Sequence, residues 1–196
     1  MAPKPEGVDE GIIRGIYRFS GSPESVASDK KAQRVRLVGS GSILQQVVAA
    51  QALLAEQFGI AAEVYSAPSF QQLRREALEV ERWNRLHPGE PARVPYVSQV
   101  LPADGGPVVI ATDWLKAVPD LVARWLPHDY VSLGTEGFGR SDTRENLRAL
   151  FEIDPPAIAG AVLAQLAKCG AITAKQAAKG LKELGVDPEK LDPMAL

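Results

Sequence analysis

Residues 133–154 read LGTEGFGRSDTRENLRALFEID, a glycine-rich segment that runs directly into a charged helical pattern. Gly134, Gly137 and Gly139 allow backbone angles that residues with a Cβ avoid. Ser141 and Asp142 are residue types that cap a helix by accepting hydrogen bonds from its free N–H groups. The segment therefore predicts that a strand ends near Leu133 and a helix begins near Asp142.

Strand-like and helix-like patterns alternate on both sides of this segment. Strands are predicted at 11–19, 34–38, 60–66, 108–112 and 130–133. Helices are predicted at 42–58, 69–86, 114–125, 142–151, 155–169 and about 174–184, with loops at 21–31 and 87–106. Such alternation indicates βαβ units in an α/β fold with a mainly parallel sheet that is covered on both faces.

The composition is that of an ordinary globular domain. The 196 residues are 45% hydrophobic and 23% charged, with a net charge of −2. This net charge gives no basic surface for nucleic acid, and no apolar run approaches the roughly 20 residues that span a bilayer. We therefore expect the chain to bind neither nucleic acid nor a membrane. Cys169 is predicted to be a small buried hydrophobe. Residues 1–10 are interpreted as a linker, or as a start chosen for expression, ahead of a domain at 11–196, and a cytoplasmic location is expected.

A candidate phosphate site follows the second predicted strand. Gly39-Ser40-Gly41-Ser42 opens a helix whose N–H groups could receive a phosphate, but neither common phosphate-loop motif is present. A tight turn with a Ser42 cap is the favoured interpretation. His87 at a helix end and His128 in a loop are expected to be solvated, and the spacing of the two histidines and Cys169 predicts no metal site and no nucleophile triad.

The charged and aromatic residues have structural interpretations as well. Opposite charges at helical spacing in 74–82 predict a solvated helix face. Trp83, Trp114 and Trp125 are expected to anchor a core or an interface. The arginines and Asp142 beside the three glycines also form a surface that could bind a partner or a carboxylate. The candidate interface residues are Glu136, Gly137, Phe138, Gly139, Arg140, Asp142 and Arg144.

Several segments together resemble the C-terminal domain of the homodimeric, thiamine-diphosphate-dependent pyruvate dehydrogenase decarboxylating component, a transketolase-like family. They are GIIRGIY, RVRLVGSGSIL, VYSAPSF, ERWNRLHPGEPARVPY, ATDWLK and LGTEGFGRSDTRENLRALFEID. The resemblance implies a three-layer α/β sandwich around a five-stranded mixed sheet, with residues 11–19 as the antiparallel strand.

The same resemblance implies a function for a longer enzyme. That enzyme would decarboxylate pyruvate with thiamine diphosphate and magnesium, and would reductively acetylate lipoyl groups on the dihydrolipoyl acyltransferase of the complex. The family's GDG motif and its catalytic residues are absent from this sequence, so no catalytic, cofactor-binding or metal-binding residue is assigned to it.

We therefore expect a domain that is inactive alone, supports a homodimer, and contacts the other domains of the enzyme or the acyltransferase. In this hypothesis Phe138 is buried against a partner. Two alternatives stay open: a freestanding α/β module that binds a phosphorylated small molecule at Gly39–Ser42, and an interaction protein that uses the proline-rich segment 87–106.

Overall fold

The computed structural model describes residues 3–127 and 129–195, which form five β-strands and nine α-helices. The strands are β1 (Tyr17–Ser20), β2 (Arg34–Gly39), β3 (Ala61–Ser66), β4 (Val108–Ala111) and β5 (Tyr130–Leu133). The helices are α1 (Asp9–Arg14), α2 (Glu24–Ala27), α3 (Leu44–Phe58), α4 (Phe70–Leu86), α5 (Tyr96–Val100), α6 (Ala117–Asp120), α7 (Arg144–Leu150), α8 (Pro155–Lys168) and α9 (Ala174–Glu183). Short 3₁₀ turns lie at Gly41–Ile43, Ala103–Gly105, Ala123–Trp125 and Pro193–Ala195.

The five described strands form one mixed sheet in the order β1-β3-β2-β4-β5. The edge strand β1 runs antiparallel to β3, and the other neighbouring strands are parallel. The predicted mixed, mainly parallel sheet and the antiparallel direction of its first strand are both confirmed. The inner strands are continuous apolar runs because both of their faces are covered.

Two separate cores lie on the two faces of the sheet. Helices α3, α8 and α9 cover one face, where Leu37, Leu54 and Ile158 are buried. Helices α4 and α5 cover the other face, with Phe70, Leu73 and the segment after α6. This arrangement is the predicted three-layer sandwich.

Gln51 is a buried polar residue of α3 that ties the antiparallel edge to the core. Its side-chain Nε2 donates to the carbonyls of Gly21 and Ala62 at 2.8 and 2.7 Å, and its Oε1 accepts from the Ser20 hydroxyl at 3.2 Å. The amide is therefore satisfied in a place where an unpaired polar group would be costly.

The predicted strand at 11–19 is wrong in its first half. Residues 9–14 are helical, with Asp9 and Glu10 in the first turn, and Gly15 ends the helix with a left-handed φ of 102°. Gly11 allows the helix to pass close to the strand, because a Cβ at this position would lie 2.7 Å from the Cβ of Tyr17. Only Tyr17–Ser20 is strand, and the helix starts within the segment interpreted as a linker.

Other boundaries also differ from the predictions. The predicted helix at 114–125 is only α6 and a 3₁₀ turn, because Pro119 lacks the N–H that a longer helix would need. The loop at 21–31 contains α2, and the proline-rich segment contains α5, which starts directly after Pro95. Cys169 is exposed at the end of α8, so its predicted burial is wrong.

One helical stretch, residues 144–168, is long and apolar enough to cross a membrane by length and composition alone. In the fold it is two helices, α7 and α8, separated by a turn in which Glu152 has a φ of 58°. Ile158, Val162 and Leu166 of α8 are fully buried in the core. The apolar character of this stretch is therefore that of a core helix.

Candidate functional site

The candidate site consists of the loops that follow β2, β4 and β5, which we call the carboxyl-edge loops: residues 40–43, 112–116 and 134–143. Parallel strands bring these loops to the same edge of the sheet. The chain leaves β2 toward β3 on one side and later returns to β4 on the other side. In open α/β sheets, ligands bind at such a switch point.

At this switch point the Asp113 carboxylate lies over the Gly39–Ser42 turn. The Ser42 hydroxyl donates to Asp113 Oδ2 at 3.1 Å, and a Cβ at Gly41, whose φ is 58°, would lie 3.0 Å from Asp113 Oδ1. Ser42 does not cap α3, so this part of the prediction is wrong. A carboxylate already occupies the side from which a phosphate would approach, which opposes an anion site here.

The loop after β4 is tied to the loop after β5 by three hydrogen bonds. The Thr135 N–H donates to the Trp114 carbonyl at 3.0 Å, and the Thr135 hydroxyl donates to the Asp113 carbonyl at 2.9 Å. The Lys116 N–H donates to Glu136 Oε1 at 2.6 Å. Glu136, a predicted interface residue, therefore holds the neighbouring loop within the chain.

Gly137 and Asp142, two further predicted interface residues, also make contacts within the chain. Gly137 has a φ of 83° and lies against the C-terminal segment, where a Cβ would be 3.0 Å from the Pro193 carbonyl. Asp142 accepts hydrogen bonds from the Thr143 N–H at 2.7 Å and from the Asn146 amide at 2.8 Å. These two bonds, chiefly the one from Asn146, lower the pKa of Asp142.

The cap of α7 is Thr143, whose hydroxyl accepts from the Asn146 N–H, so the helix starts two residues later than predicted. The remaining interface candidates, Phe138, Gly139, Arg140 and Arg144, are exposed. That they contact a partner stays a prediction.

Three large apolar side chains of the carboxyl-edge loops face solvent, and we call them the apolar patch: Trp114 is 61% exposed, Leu115 50% and Phe138 88%. Monomeric proteins rarely leave large apolar groups exposed together at one edge. Trp114 and Phe138 stand out in the sequence as a tryptophan and as an aromatic residue between glycines, whereas Leu115 and the nearby Asp113 do not. The ATDWLK segment carried a signal, since two apolar residues follow a polar one directly after a buried strand.

A groove of about 1030 Å³ borders the same loops. Its walls come from α7, α8, α9 and the segment after α9, and Arg140 and Asp142 stand at one side. Lys190 in this groove is already engaged, since its ammonium donates to the Leu150 carbonyl at 2.9 Å and lies 3.6 Å from Glu152. The groove is mostly apolar, and Asp142, Glu152 and Lys190 in it are already engaged within the chain.

In the described part of the chain, no histidine belongs to a catalytic or metal-binding cluster. His87 is exposed at the end of α4, stacks on Trp83 at 4.4 Å and contacts the Trp83 carbonyl, while His128 lies outside the described residues. Among residues 3–127 and 129–195, no group of three His, Cys, Asp or Glu side chains could hold a metal ion.

The proline-rich segment 87–106 is attached to α4 by contacts of Arg93 with Asn84 and Trp83. The Asn84 side chain accepts from the Arg93 N–H at 2.8 Å and donates to the Arg93 carbonyl at 2.9 Å, while the Arg93 guanidinium lies 3.6 Å over the Trp83 ring. Leu86 and Val94 are about half exposed beside this clamp. This segment is a second candidate surface.

Residues 15–154 match a family model described as the transketolase-like C-terminal domain. The chain is 45% identical over 193 residues to the pyruvate dehydrogenase E1 component of Pseudomonas aeruginosa, and 43% identical over 194 residues to that of Escherichia coli. These matches cover 97% and 98% of this chain and 21% of each relative. The chain thus spans about a fifth of the length of these relatives.

Among solved structures, transketolase from Leishmania mexicana has the same fold over 86% of this chain and 20% of its own, with a TM-score of 0.54 and 22% identity. At that identity the likeness concerns the fold alone.

Proposed function

Because this chain belongs to the transketolase-like C-terminal domain family, we propose that it acts as the C-terminal domain of a pyruvate dehydrogenase E1 component. Similarity along 97% of the chain to a named E1 component carries this proposal. The complete enzyme would decarboxylate pyruvate and reductively acetylate the lipoyl groups of a dihydrolipoyl acyltransferase. We place it in the cytoplasm as a homodimer.

Thiamine diphosphate with magnesium would supply the electron sink for this decarboxylation, and the residues of this chain do not fit that cofactor. At the switch point the Asp113 carboxylate faces the turn that would receive a diphosphate, and it is hydrogen-bonded to Ser42. The described residues also hold no cluster of three metal-ligating side chains. We therefore assign cofactor binding to other domains and no chemical step to this one.

The proposed role of this domain is to contact those other domains through the apolar patch. Phe138, 88% exposed, is the centre of this proposal because burying an aromatic side chain contributes about 2 kcal/mol. Trp114 and Leu115 stand on a loop that Thr135 and Glu136 hold in place. A patch on a fixed loop loses little conformational entropy when it docks.

The test combines this chain with the Pseudomonas aeruginosa relative from which the matching fifth has been removed. We expect neither part alone to decarboxylate pyruvate in the presence of thiamine diphosphate and magnesium, and the mixture to do so. Turnover by this chain alone would refute the proposal, as would a mixture that binds but stays inactive.

Phe138→Asp tests the surface itself. We expect this variant to bind the truncated relative at least about tenfold more weakly, since the lost burial and a desolvated carboxylate both oppose docking. Leu86→Asp is the matched control, because Leu86 is an exposed apolar residue, 51% exposed, in the proline-rich surface. If only Leu86→Asp lost binding, the interface would lie at the proline-rich surface and the proposal for the apolar patch would be refuted.

The phosphate-binding alternative has its own test. Calorimetry with inorganic phosphate, a nucleotide and a sugar phosphate should show no saturable binding, because Asp113 repels an anion at this turn. Saturable binding that Gly41→Asp abolishes would favour the alternative function.

A further inference from the structure

Helix α4 carries four exposed arginines, of which Arg74, Arg75 and Arg82 lie together before its last turn. These three line a shallow depression of about 540 Å³, which we call the arginine groove; Gln71, Leu78, Glu79 and, from the end of α6, Leu121 complete its lining.

Only Glu79 lies at helical spacing from these arginines, four residues after Arg75 and three before Arg82. The two neighbouring glutamates of α4 are turned to other parts of the fold. Glu76 accepts from the first N–H of α5 at 3.0 Å and lies 3.8 Å from Arg14. Glu81 accepts from the Trp125 indole at 2.9 Å and lies 3.0 Å from Arg124. Glu79 lines the groove but forms no ion pair within 4.0 Å in the described part of the chain, so the helix face is solvated, as predicted, and its arginines are not paired.

Across the described part of the chain, no carboxylate oxygen lies within 4.0 Å of the three arginines of the groove. None of them stacks on an aromatic ring, as Arg14, Arg93 and Arg124 do. They also lie outside the last turn of α4, where a cation would stabilise the helix dipole. Their charges repel one another, and Glu79 in the groove offsets that repulsion only from beyond 4.0 Å.

The spacing of the arginines suits a peptide better than a single phosphate. Arg75 and Arg82 are seven residues apart, which is about 10 Å along the helix axis. An extended peptide covers this distance in about three residues. Leu78 lies between the two arginines in sequence and, with Leu121, offers an apolar floor for a side chain between two carboxylates.

We propose that the arginine groove binds an acidic segment of a partner protein, with carboxylates on the arginines and an apolar side chain over Leu78 and Leu121. A nucleic acid is disfavoured because its phosphate backbone has no apolar side chain to place over Leu78 and Leu121. The proposal rests on α4 and its neighbours, and it is independent of the proposed function.

The test uses a fluorescent peptide of sequence GEELLEEG and its neutral counterpart GQQLLQQG. We expect this chain to bind the acidic peptide at low ionic strength and to ignore the neutral one. Affinity should fall steeply with added salt, because exposed charge pairs are screened. Equal binding of the two peptides would overturn the proposal, as would failure to bind the acidic one.

Charge reversal locates the site. The triple variant Arg74→Glu, Arg75→Glu, Arg82→Glu should bind at least about tenfold more weakly, from roughly two- to fivefold for each charge pair. The matched control is Lys175→Glu, Lys179→Glu, Lys182→Glu on exposed positions of α9, with the same change in net charge. Equal losses in both variants would show a response to net charge alone and would overturn the proposal.

A milder variant keeps the test valid if the triple variant unfolds. Arg82→Gln removes one charge at an exposed position and should weaken binding about two- to fivefold. Inorganic phosphate is the competitor: displacement of the peptide at equal ionic strength, beyond that caused by chloride, would identify an anion site and overturn the assignment to an acidic segment.

Discussion

Gly134→Ala tests the close approach between the exit of β5 and the loop after β4. Gly134 is buried, and a Cβ at this position would lie 2.5 Å from the Trp114 carbonyl oxygen and 3.0 Å from the Lys116 nitrogen. Ordinary contact begins at 3.4 Å, so the two backbones would have to separate by about 1 Å. Both atoms belong to the main chain and cannot turn aside as a side chain would.

The expected loss of stability follows from the hydrogen bonds that this separation breaks. The hydrogen bonds from Thr135 N to the Trp114 carbonyl and from Lys116 N to Glu136 Oε1 span the same gap. Each contributes about 1 kcal/mol net, and overpacking adds roughly 1–3 kcal/mol, so we expect a loss of about 3–5 kcal/mol in unfolding free energy. For a chain of this length that lowers Tm by roughly 6–20 °C.

Thermal unfolding followed by circular dichroism measures this shift, and Gly139→Ala is the control in the same loop. A Cβ at Gly139 would meet no atom within 4 Å, and its φ lies outside the left-handed region. We expect Gly139→Ala to leave Tm unchanged or to raise it slightly, because alanine reduces the freedom of the unfolded chain. Equal Tm values for the two variants would refute the proposed contact between the loops.

Three further predictions concern the scaffold of the site. Gln51→Leu should lower the unfolding free energy by roughly 2 kcal/mol, measured by urea denaturation, because two carbonyls lose a buried amide donor. Burial and the Glu63 hydrogen bond raise the pKa of Tyr65 from 10 to about 12, so its stabilisation is complete below pH 10 and is lost as pH rises toward 12; an absorbance titration of Tyr65→Phe should lack that late ionisation. Thr173→Ala should lower Tm by about 2–4 °C through loss of the capping box of α9.

The sheet was predictable because its inner strands are short apolar runs between glycines and helical patterns. β2, β3, β4 and β5 lie within one residue of their predicted bounds. The first strand was overextended because Ile13, Tyr17 and Phe19 fit a period of two, while Ile12 and Ile16 also fit the four-residue spacing of a short helix. Ile13 is 75% exposed in the helix, so hydrophobicity alone misplaces it.

The site was less predictable because its contacts join distant parts of the sequence. Ser42 and Asp113 are 71 positions apart, and they meet because β2 and β4 are neighbours. Alternating strands and helices predict a parallel sheet but leave the order of its strands open. Without that order, nothing places the Asp113 carboxylate over the Gly39–Ser42 turn, and a phosphate site there remained an open alternative.

The arginines of α4 show a second way in which local pattern and tertiary structure diverge. Spacings of three and four residues favour pairing on an isolated helix, but each such pair is worth only about 0.2–0.5 kcal/mol. Hydrogen bonds to charged groups from other elements contribute about 1.5–3 kcal/mol, and Glu76 and Glu81 accept such bonds from α5 and Trp125. Glu79, which does lie at helical spacing from Arg75 and Arg82, stays in the groove without an ion pair within 4.0 Å, so one carboxylate faces three arginines and the excess positive charge is left for the proposed acidic segment.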